Sequence, residues 1–542
     1  MLNNALLYLN TVKHLKLKQI MFRLYYSIIK IKVKTFQEAP LRKMSSDWLS
    51  PQLLQQSYCG NNEFIFLNRK GSEDSIKNNK LWKYNLHYFD FLNVHEPKVP
   101  FEECERLIES WIVKNKHSKG DAWEPYPTSL RVVNWIKWFS SGNSPSKESL
   151  LSLFSQVDYL NRHIEYHLLG NHLFANAKAL IFSGSYFSGS NASRWLDTGL
   201  EILDKEIPEQ ILDDGANFEL SPMYHHIILA DMLDLVNLAQ TYDLAALTKR
   251  VDSWKIVISR MLTYGNKMTH PDGDVSFFND SALGIAPRYA DLHRYASELG
   301  IEIIQDSPRE SINGLELRFF KDSGYIAIES DSTKAILDVA KVGPDYIPGH
   351  AHADTLSFEL SLFGQRIFVN SGTGEYGASE ERLRQRKTAA HNTVDVDDLD
   401  SSEVWSGFRV ARRAYPSKPT ITQNTDGINV SCSHDGFTRL PGKVVHNRTW
   451  HFGQNKILIK DTLEGRYQKA FAHYHIHPDV EVSKEGSQIS LITPNGKVIS
   501  VEASQQIEVL ETTWHPQFGI TVSNRKLLVP VVDGHVEVSI RF

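Results

Sequence analysis

Cysteine is nearly missing from this chain: Cys59, Cys104 and Cys432 are three in 542 residues, odd in number and far apart. That spacing excludes a disulfide framework. Positive charge is not in excess either, because 59 Lys or Arg stand against 64 Asp or Glu for a formal net charge of -5. The balance excludes the large basic surface on which nucleic-acid binding rests. A long apolar run is also missing at the start. In "MLNNALLYLNTVKHLKLKQIMFRLYYSIIKIKVK" the apolar residues are broken by Lys13, Lys16, Lys18 and Arg23, and no small-residue cleavage site follows. Neither a signal peptide nor a spanning helix is expected there, so the expected location is the cytoplasm, at the inner membrane face.

What is present is the composition of a globular protein, 41% hydrophobic and 23% charged. The length exceeds what one core organises, so two large domains with an extension are expected. Aromatics reach 11%, which suits either large cores or sugar-stacking surfaces. Residues 1–43 hold nine Lys or Arg and a single acid, Glu38, interleaved with Leu, Ile, Phe and Tyr. A basic amphipathic segment of this kind lies on an anionic membrane or packs on the body with its lysines in water.

Between about residues 100 and 265 the apolar period is helical. In "PTSLRVVNWIKWF", Leu130, Val133, Ile136 and Trp138 gather on one side, and five further segments repeat the pattern with short loops between them. Repeated helical hairpins are expected rather than a coiled coil, because no heptad persists. From about residue 315 the period becomes two, in "SGYIAIES", "KAILDVAK", "TLSFELSLFGQRIFVNSG" and "HVEVSIRF". Many short antiparallel strands without intervening helices imply a sandwich. The fold class is thus multidomain α+β, with a basic extension over 1–78, helices over 79–312, strands over 313–542 and the boundary near residue 310.

Three polar clusters interrupt these patterns. "GNHLFANAKAL" opens a helix with Asn171 and His172, where Asn is an ordinary cap. "DDGANFELSPMYHHIILADML" carries Asp214, Glu219, Tyr224, His225 and His226 into another helix. "PGHAHADTLSFEL" places His350 and His352 before Leu356, Phe358 and Leu360, which alternate with polar residues as in a half-buried strand. "VNSGTGEYG" and "RLRQRKTAAHNTVDV" follow.

Together with "WEPYPTSLRVVNWIKW", these motifs resemble the heparinase II/III family of polysaccharide lyases, from about residue 80 to about residue 410. The resemblance implies an incomplete (α/α) toroid, then an antiparallel β-sandwich, with the site in the cleft between them. It also implies β-elimination on an acidic, uronate-containing polysaccharide; the expected cytoplasmic location, odd for a scavenging lyase, then suggests a role in capsule or exopolysaccharide biosynthesis. Removing the proton at C5 requires donors that neutralise the adjacent carboxylate, and by resemblance Asn171 and His172 supply them. By the same resemblance Tyr224 is the acid, or both acid and base, and His350 abstracts the proton or assists. A tyrosine base needs neighbours that depress its pKa from about 10; His225, His226, Arg382 and Arg386 are the candidates.

Residues two apart on an extended segment share a side, so His350 is expected to face the cleft and His352 to join a zinc site. By resemblance that site comprises His352, His391 and, where the family carries Asp, Asn370, a weaker neutral ligand. Two other readings stand beside the lyase. A glycoside hydrolase on the same scaffold would use two carboxylates among Asp214, Glu219, Asp272 and Asp280, though Asp214 and Asp272 precede Gly as turn residues do. A non-catalytic carbohydrate-binding or assembly protein would lack the Tyr–His–Asn set, which this chain has.

Overall fold

The computed structural model describes residues 2–94, 98–116, 119–303, 311–486 and 488–542. The boundary expected near residue 310 falls in 304–310, outside the described residues. Two short helices come first, α1 (Leu2–Val12) and α2 (Leu17–Ile28). Nine more follow: α3 (Lys80–Tyr88), α4 (Phe101–Lys114), α5 (Pro125–Ser140), α6 (Lys147–Asn161), α7 (Gly170–Tyr186), α8 (Ser190–Gln210), α9 (Pro222–Tyr242), α10 (Ala245–Lys267) and α11 (Tyr289–Glu298). Local signals set several starts. Ser146 and Ser221 accept from the backbone N–H three residues on, and Pro125 and Pro222 occupy first-turn positions where no N–H is needed.

Helix α7 runs through the middle of the helical domain and is buried on nearly all sides. Its neighbour α8 approaches so closely that a Cβ at Gly184 would lie 2.6 Å from Leu196, and one at Gly199 would lie 2.7 Å from Ile181. Any larger residue at either glycine would force these helices apart. The helices share one core, which includes Trp82, Trp135, Phe174, Leu180, Trp195 and Leu233. They form an incomplete (α/α) toroid.

The second domain is an antiparallel β-sandwich. One layer is the five-stranded meander Glu316–Phe320, Tyr325–Glu329, Thr333–Asp338, Phe358–Leu362 and Gln365–Phe368. The bridge Phe368↔Ile476 continues it into a four-stranded sheet. An eight-stranded sheet faces these two across a core that includes Ile326, Leu337, Trp450, Ile459, Tyr474 and Leu527.

The half-buried strand expected around Leu356–Leu360 needs correction. The strand is Phe358–Leu362, and all five residues are buried. Its polar side faces the toroid instead of water: Glu359 and Ser361 meet His270 at 3.1 and 2.7 Å, and Arg366 reaches Glu359. Buried polar groups of this kind persist because each finds a partner. The other end of this interface carries the candidate site.

Candidate active site

Three segments meet where the toroid abuts the sandwich, and each carries a leucine in a left-handed backbone conformation. Leu169 (φ 66°, ψ -154°) precedes Gly170 (φ 54°) and the start of α7; Leu220 (φ 60°) precedes α9; Leu356 (φ 64°) follows His352. Such conformations cost on the order of 1–3 kcal/mol each and persist only where the surroundings over-determine them. Leu169 and Leu220 stand just before the helix starts that carry Asn171, His172 and Tyr224.

Asn171 is not the expected cap, because the cap position is Leu169 and Asn171 lies inside the first turn. Its backbone N–H faces the Glu219 carboxylate and its side-chain amide the Tyr126 hydroxyl, each favouring the ionised form of its partner. His172 stacks on Tyr126, ring centroids 4.4 Å apart, and its Nδ1 lies 3.1 Å from Glu165 Oε1. Desolvation disfavours its protonation, but Glu165 more than offsets this and holds the imidazole above its ordinary pKa.

Tyr224 sits in the first turn of α9, its ring tilted over His350 with centroids 4.0 Å apart. Its hydroxyl lies 3.1 Å from that of Tyr376. Burial pushes the Tyr224 phenol well above its usual range, and Tyr376 and Tyr126 add to the shift. The depression expected from neighbouring cations is therefore corrected. His225 is engaged with Met261 O at 2.9 Å and His226 with Pro287 O at 3.0 Å, and burial lowers their pKa values to about 3 and about 4. Arg386 donates to Ala351 O, and Arg382 to Asp280.

Asp280 organises the site. Fully buried, it accepts from His350 Nδ1 at 3.0 Å, His352 Nε2 at 2.9 Å and both terminal nitrogens of Arg382 at 2.5 and 2.7 Å. Burial opposes its ionisation, but Arg382 and the two histidines hold the carboxyl well below the usual carboxylate range. His350 and His352 thus share one carboxylate, one on each oxygen. Because a carboxylate accepts, a neutral His350 carries its proton on Nδ1 and leaves Nε2 with a lone pair. That Nε2 lies 3.8 Å from Glu219 Oε2, a buried oxygen with no hydrogen-bond partner, and the His350 side chain is 14% exposed. Tyr376, Asp280 in this role and Glu219 in this position escaped the sequence reading, although Tyr376 and Glu219 each lie in a motif.

His352 and His391 meet with Nδ1 and Nε2 3.0 Å apart. His352 gives its other nitrogen's proton to Asp280, and His391 gives its own to Lys387 O at 2.8 Å. Two neutral imidazoles hold two protons, so two lone pairs face each other. A shared proton would resolve this contact, although burial works against it by lowering the pKa of both imidazoles; a metal ion would do so too, since zinc at about 2.0–2.1 Å from each nitrogen holds them roughly 3.3 Å apart. Asn370 is not brought to them: its Oδ1 accepts from Asn392 N at 3.0 Å and its amide faces Ser357 Oγ at 3.5 Å. Among the described residues no group of three His, Cys, Asp or Glu is poised to hold a metal. Two of the three expected ligands therefore fit a cation, and the third is engaged elsewhere.

A heparinase II/III N-terminal model matches residues 78–297, and a heparinase II/III-like C-terminal model matches residues 313–541. The chain belongs to the heparinase II/III family. Its similarity to a heparin-sulfate lyase of Bacteroides stercoris is 23% identity over 432 residues, 76% of this chain and 62% of that protein. With the heparin-sulfate lyase of Pedobacter heparinus it is 28% over 299 residues, 51% of this chain and 44% of the relative. This heparinase II/III chain thus spans about half to three-fifths of the curated relatives' length. Among solved structures, a heparinase III superposes with a TM-score of 0.68 at 18% identity, covering 88% of this chain and 79% of that one. The heparan sulfate lyase of Pedobacter heparinus superposes with a TM-score of 0.58 at 18% identity, covering 86% and 77%. The shared architecture is the heparinase II/III toroid followed by its sandwich.

Proposed function

We propose that this protein is a polysaccharide lyase that cleaves an acidic, uronate-containing polymer by β-elimination. The observation that carries the reading is the Tyr224–His350 pair, a phenol held protonated by burial against an imidazole whose Nδ1 is tied to Asp280. One partner is an acid and the other a base, side by side.

The uronate carboxylate would sit against Asn171 and His172, an amide and an imidazole whose pKa Glu165 raises, and these donors would neutralise it and stabilise the enolate-like charge as C5 loses its proton. His350 Nε2 takes that proton, while Asp280 stabilises the imidazolium that forms. Tyr224 donates its phenolic proton to the departing O4, and Tyr376, 3.1 Å away, keeps a hydrogen bond to the oxygen left behind. A double bond forms between C4 and C5 as the C4–O bond breaks. Base duty for Tyr224 is disfavoured, because burial resists the phenolate. Zinc held by His352 and His391 would supply a fixed positive charge behind Asp280, in place of a shared proton.

The hydrolase reading fares less well. Hydrolysis needs two carboxyl groups flanking one bond. Asp280 is spent on Arg382, Asp272 on Arg366 and Asp214 on the backbone of Asp322 and Ser323, so Glu219 stands alone. The curated relatives are named heparin-sulfate lyases, so heparan-type polymers head the panel, with chondroitin, hyaluronan and alginate beside them. Lysis gives the ultraviolet absorbance of an unsaturated uronate. New reducing ends without that absorbance would show hydrolysis, and binding without either would show a non-catalytic protein.

A further inference from the structure

Helix α2 has two apolar faces, and only one of them is used. The inner face is docked on the toroid: Gln19 donates to Tyr346 O at 3.3 Å, Tyr26 donates to Ile164 O at 2.6 Å, and the Phe22 ring lies 4.7 Å from that of Tyr166. The outer face presents Leu17, Ile20, Met21, Leu24 and Ile28, between 37% and 75% exposed. At 100° per residue these five form one stripe opposite Gln19, Phe22 and Tyr26. A soluble surface helix places charge there instead.

The pattern continues past the helix. In residues 29–34, Ile31 and Val33 pack against the core while Lys30, Lys32 and Lys34 are exposed. Helix α1 adds Leu6, Leu9 and Val12 to the exposed apolar set. In all, eleven of the 23 large apolar side chains that stand exposed among the described residues lie within residues 6–29. Charge is concentrated in the same place. Residues 1–43, nine basic against one acidic, carry +8, whereas the remainder, 50 basic against 63 acidic, carries -13.

We infer that the outer face of α1 and α2, with the lysines that follow, is a docking surface for an anionic lipid bilayer. An apolar stripe with Arg23 beside it and the exposed Lys30, Lys32 and Lys34 after it is the design of a helix that lies in the membrane interface, its apolar face among the acyl chains and its cations among the headgroups; Lys16 and Lys18 turn to the body instead, over Tyr346 and Tyr166. It lies on the bilayer and does not cross it, since twelve residues rise only about 18 Å against a hydrocarbon thickness of about 30 Å. No helix among the described residues is long and apolar enough to span. A second copy of the chain is a poor occupant, because a two-fold contact would set two +8 segments face to face. The site adjoins the extension: Tyr346, which accepts from Gln19 and lies under the Lys16 ammonium at 3.6 Å, precedes His350 by four residues. Docking therefore holds the cleft beside the lipid surface.

The test is co-sedimentation of the full chain with vesicles of phosphatidylcholine alone or mixed with phosphatidylglycerol, across a salt series. Binding is expected only to the anionic vesicles and should weaken as salt rises. Replacing Lys30, Lys32 and Lys34 together by Ala should lower partitioning about a hundredfold at low salt. Leu24→Ser with Ile28→Ser should lower it roughly tenfold or more. The lysine variant alters only exposed side chains, so it keeps the test decisive if the leucine variant fails to fold. Absence of binding by the intact protein would overturn the inference. So would a dimer that the Leu24→Ser, Ile28→Ser variant converts to monomer without any vesicle binding, since the stripe would then be a self-contact.

Discussion

Replacing Asp280 by Asn keeps the shape of the side chain and removes the charge on which His350, His352 and Arg382 converge. Two consequences of different kinds follow. Arg382 is fully buried and would lose its counter-ion, and breaking a buried pair in this way costs about 3–5 kcal/mol of stability. His350 would lose the acceptor that places its proton on Nδ1. An amide can donate to that nitrogen as readily as accept from it, so the wrong tautomer becomes accessible. An orienting aspartate of this kind in serine proteases is worth about ten-thousandfold in turnover, and a loss of a thousandfold or more is expected here. The two effects separate in the double variant Asp280→Asn, Arg382→Gln, which leaves no unpaired buried charge. Its urea midpoint should recover most of the way to the parent's, while kcat on a confirmed uronate polymer stays as low as in Asp280→Asn. Turnover within tenfold of the parent in either variant, with the fold verified by circular dichroism, would refute Asp280 as the group that orients the base.

Tyr224→Phe should lower kcat by at least a hundredfold, the scale of positioned general-acid catalysis, with KM little changed; near-parental turnover would remove the phenol from the mechanism. Acid should destabilise the toroid early. His87, His225 and His226 are buried with pKa values lowered to about 3, about 3 and about 4, so the unfolded chain gains protons from about pH 6.5 downward while the folded one does not. Their contribution is complete above pH 6.5 and is lost as pH falls toward 4, at up to about 1.4 kcal/mol per pH unit for each; urea midpoints that do not move between pH 7 and pH 5 would contradict this. Metal analysis after dialysis against zinc tests whether His352 and His391 hold a metal ion. Zinc near one ion per chain, lost in His352→Ala and unchanged in Asn370→Asp, supports a metal on the two histidines alone; none in the parent leaves the metal unsupported.

The division into helices and strands was legible because each has its own apolar period, and the site segments were legible because polar runs interrupt those periods. What the sequence could not carry were relations between segments. Asp280 looks like a turn residue in "FFNDSALG"; only the fold brings Arg382, 102 positions later, onto both of its oxygens. Glu359 and Ser361 read as a solvent face because alternation reports polarity, and it does not say whether water or another domain satisfies it. The supposed activators of Tyr224 failed for a similar reason. His225 and His226 adjoin it in sequence, yet successive residues on a helix point about 100° apart, so both rings turn into the toroid toward Met261 and Pro287.

A second histidine pair in the sandwich shows why residue type alone does not mark a site. His446 and His434 meet at 3.2 Å, His446 also reaches Asp461 at 2.7 Å, and Asp461 is clamped by Arg448 as Asp280 is by Arg382. The composition is nearly the same in both places, but the proton count differs. His434 Nδ1 accepts from the Gly436 N–H at 3.1 Å, so its proton sits on Nε2 and passes to His446 Nδ1, whose own proton passes to Asp461. Two neutral imidazoles satisfy every contact, and the cluster is inert and fully buried. The chain from Asp280 through His352 to His391 ends instead on a carbonyl, which accepts and cannot donate. With both imidazoles neutral, that arrangement leaves two lone pairs facing each other. The same Asp280 binds His350, whose side chain alone among these histidines opens toward the cleft. The two clusters therefore differ by a single backbone partner, N–H in one case and C=O in the other, together with one imidazole left partly in water.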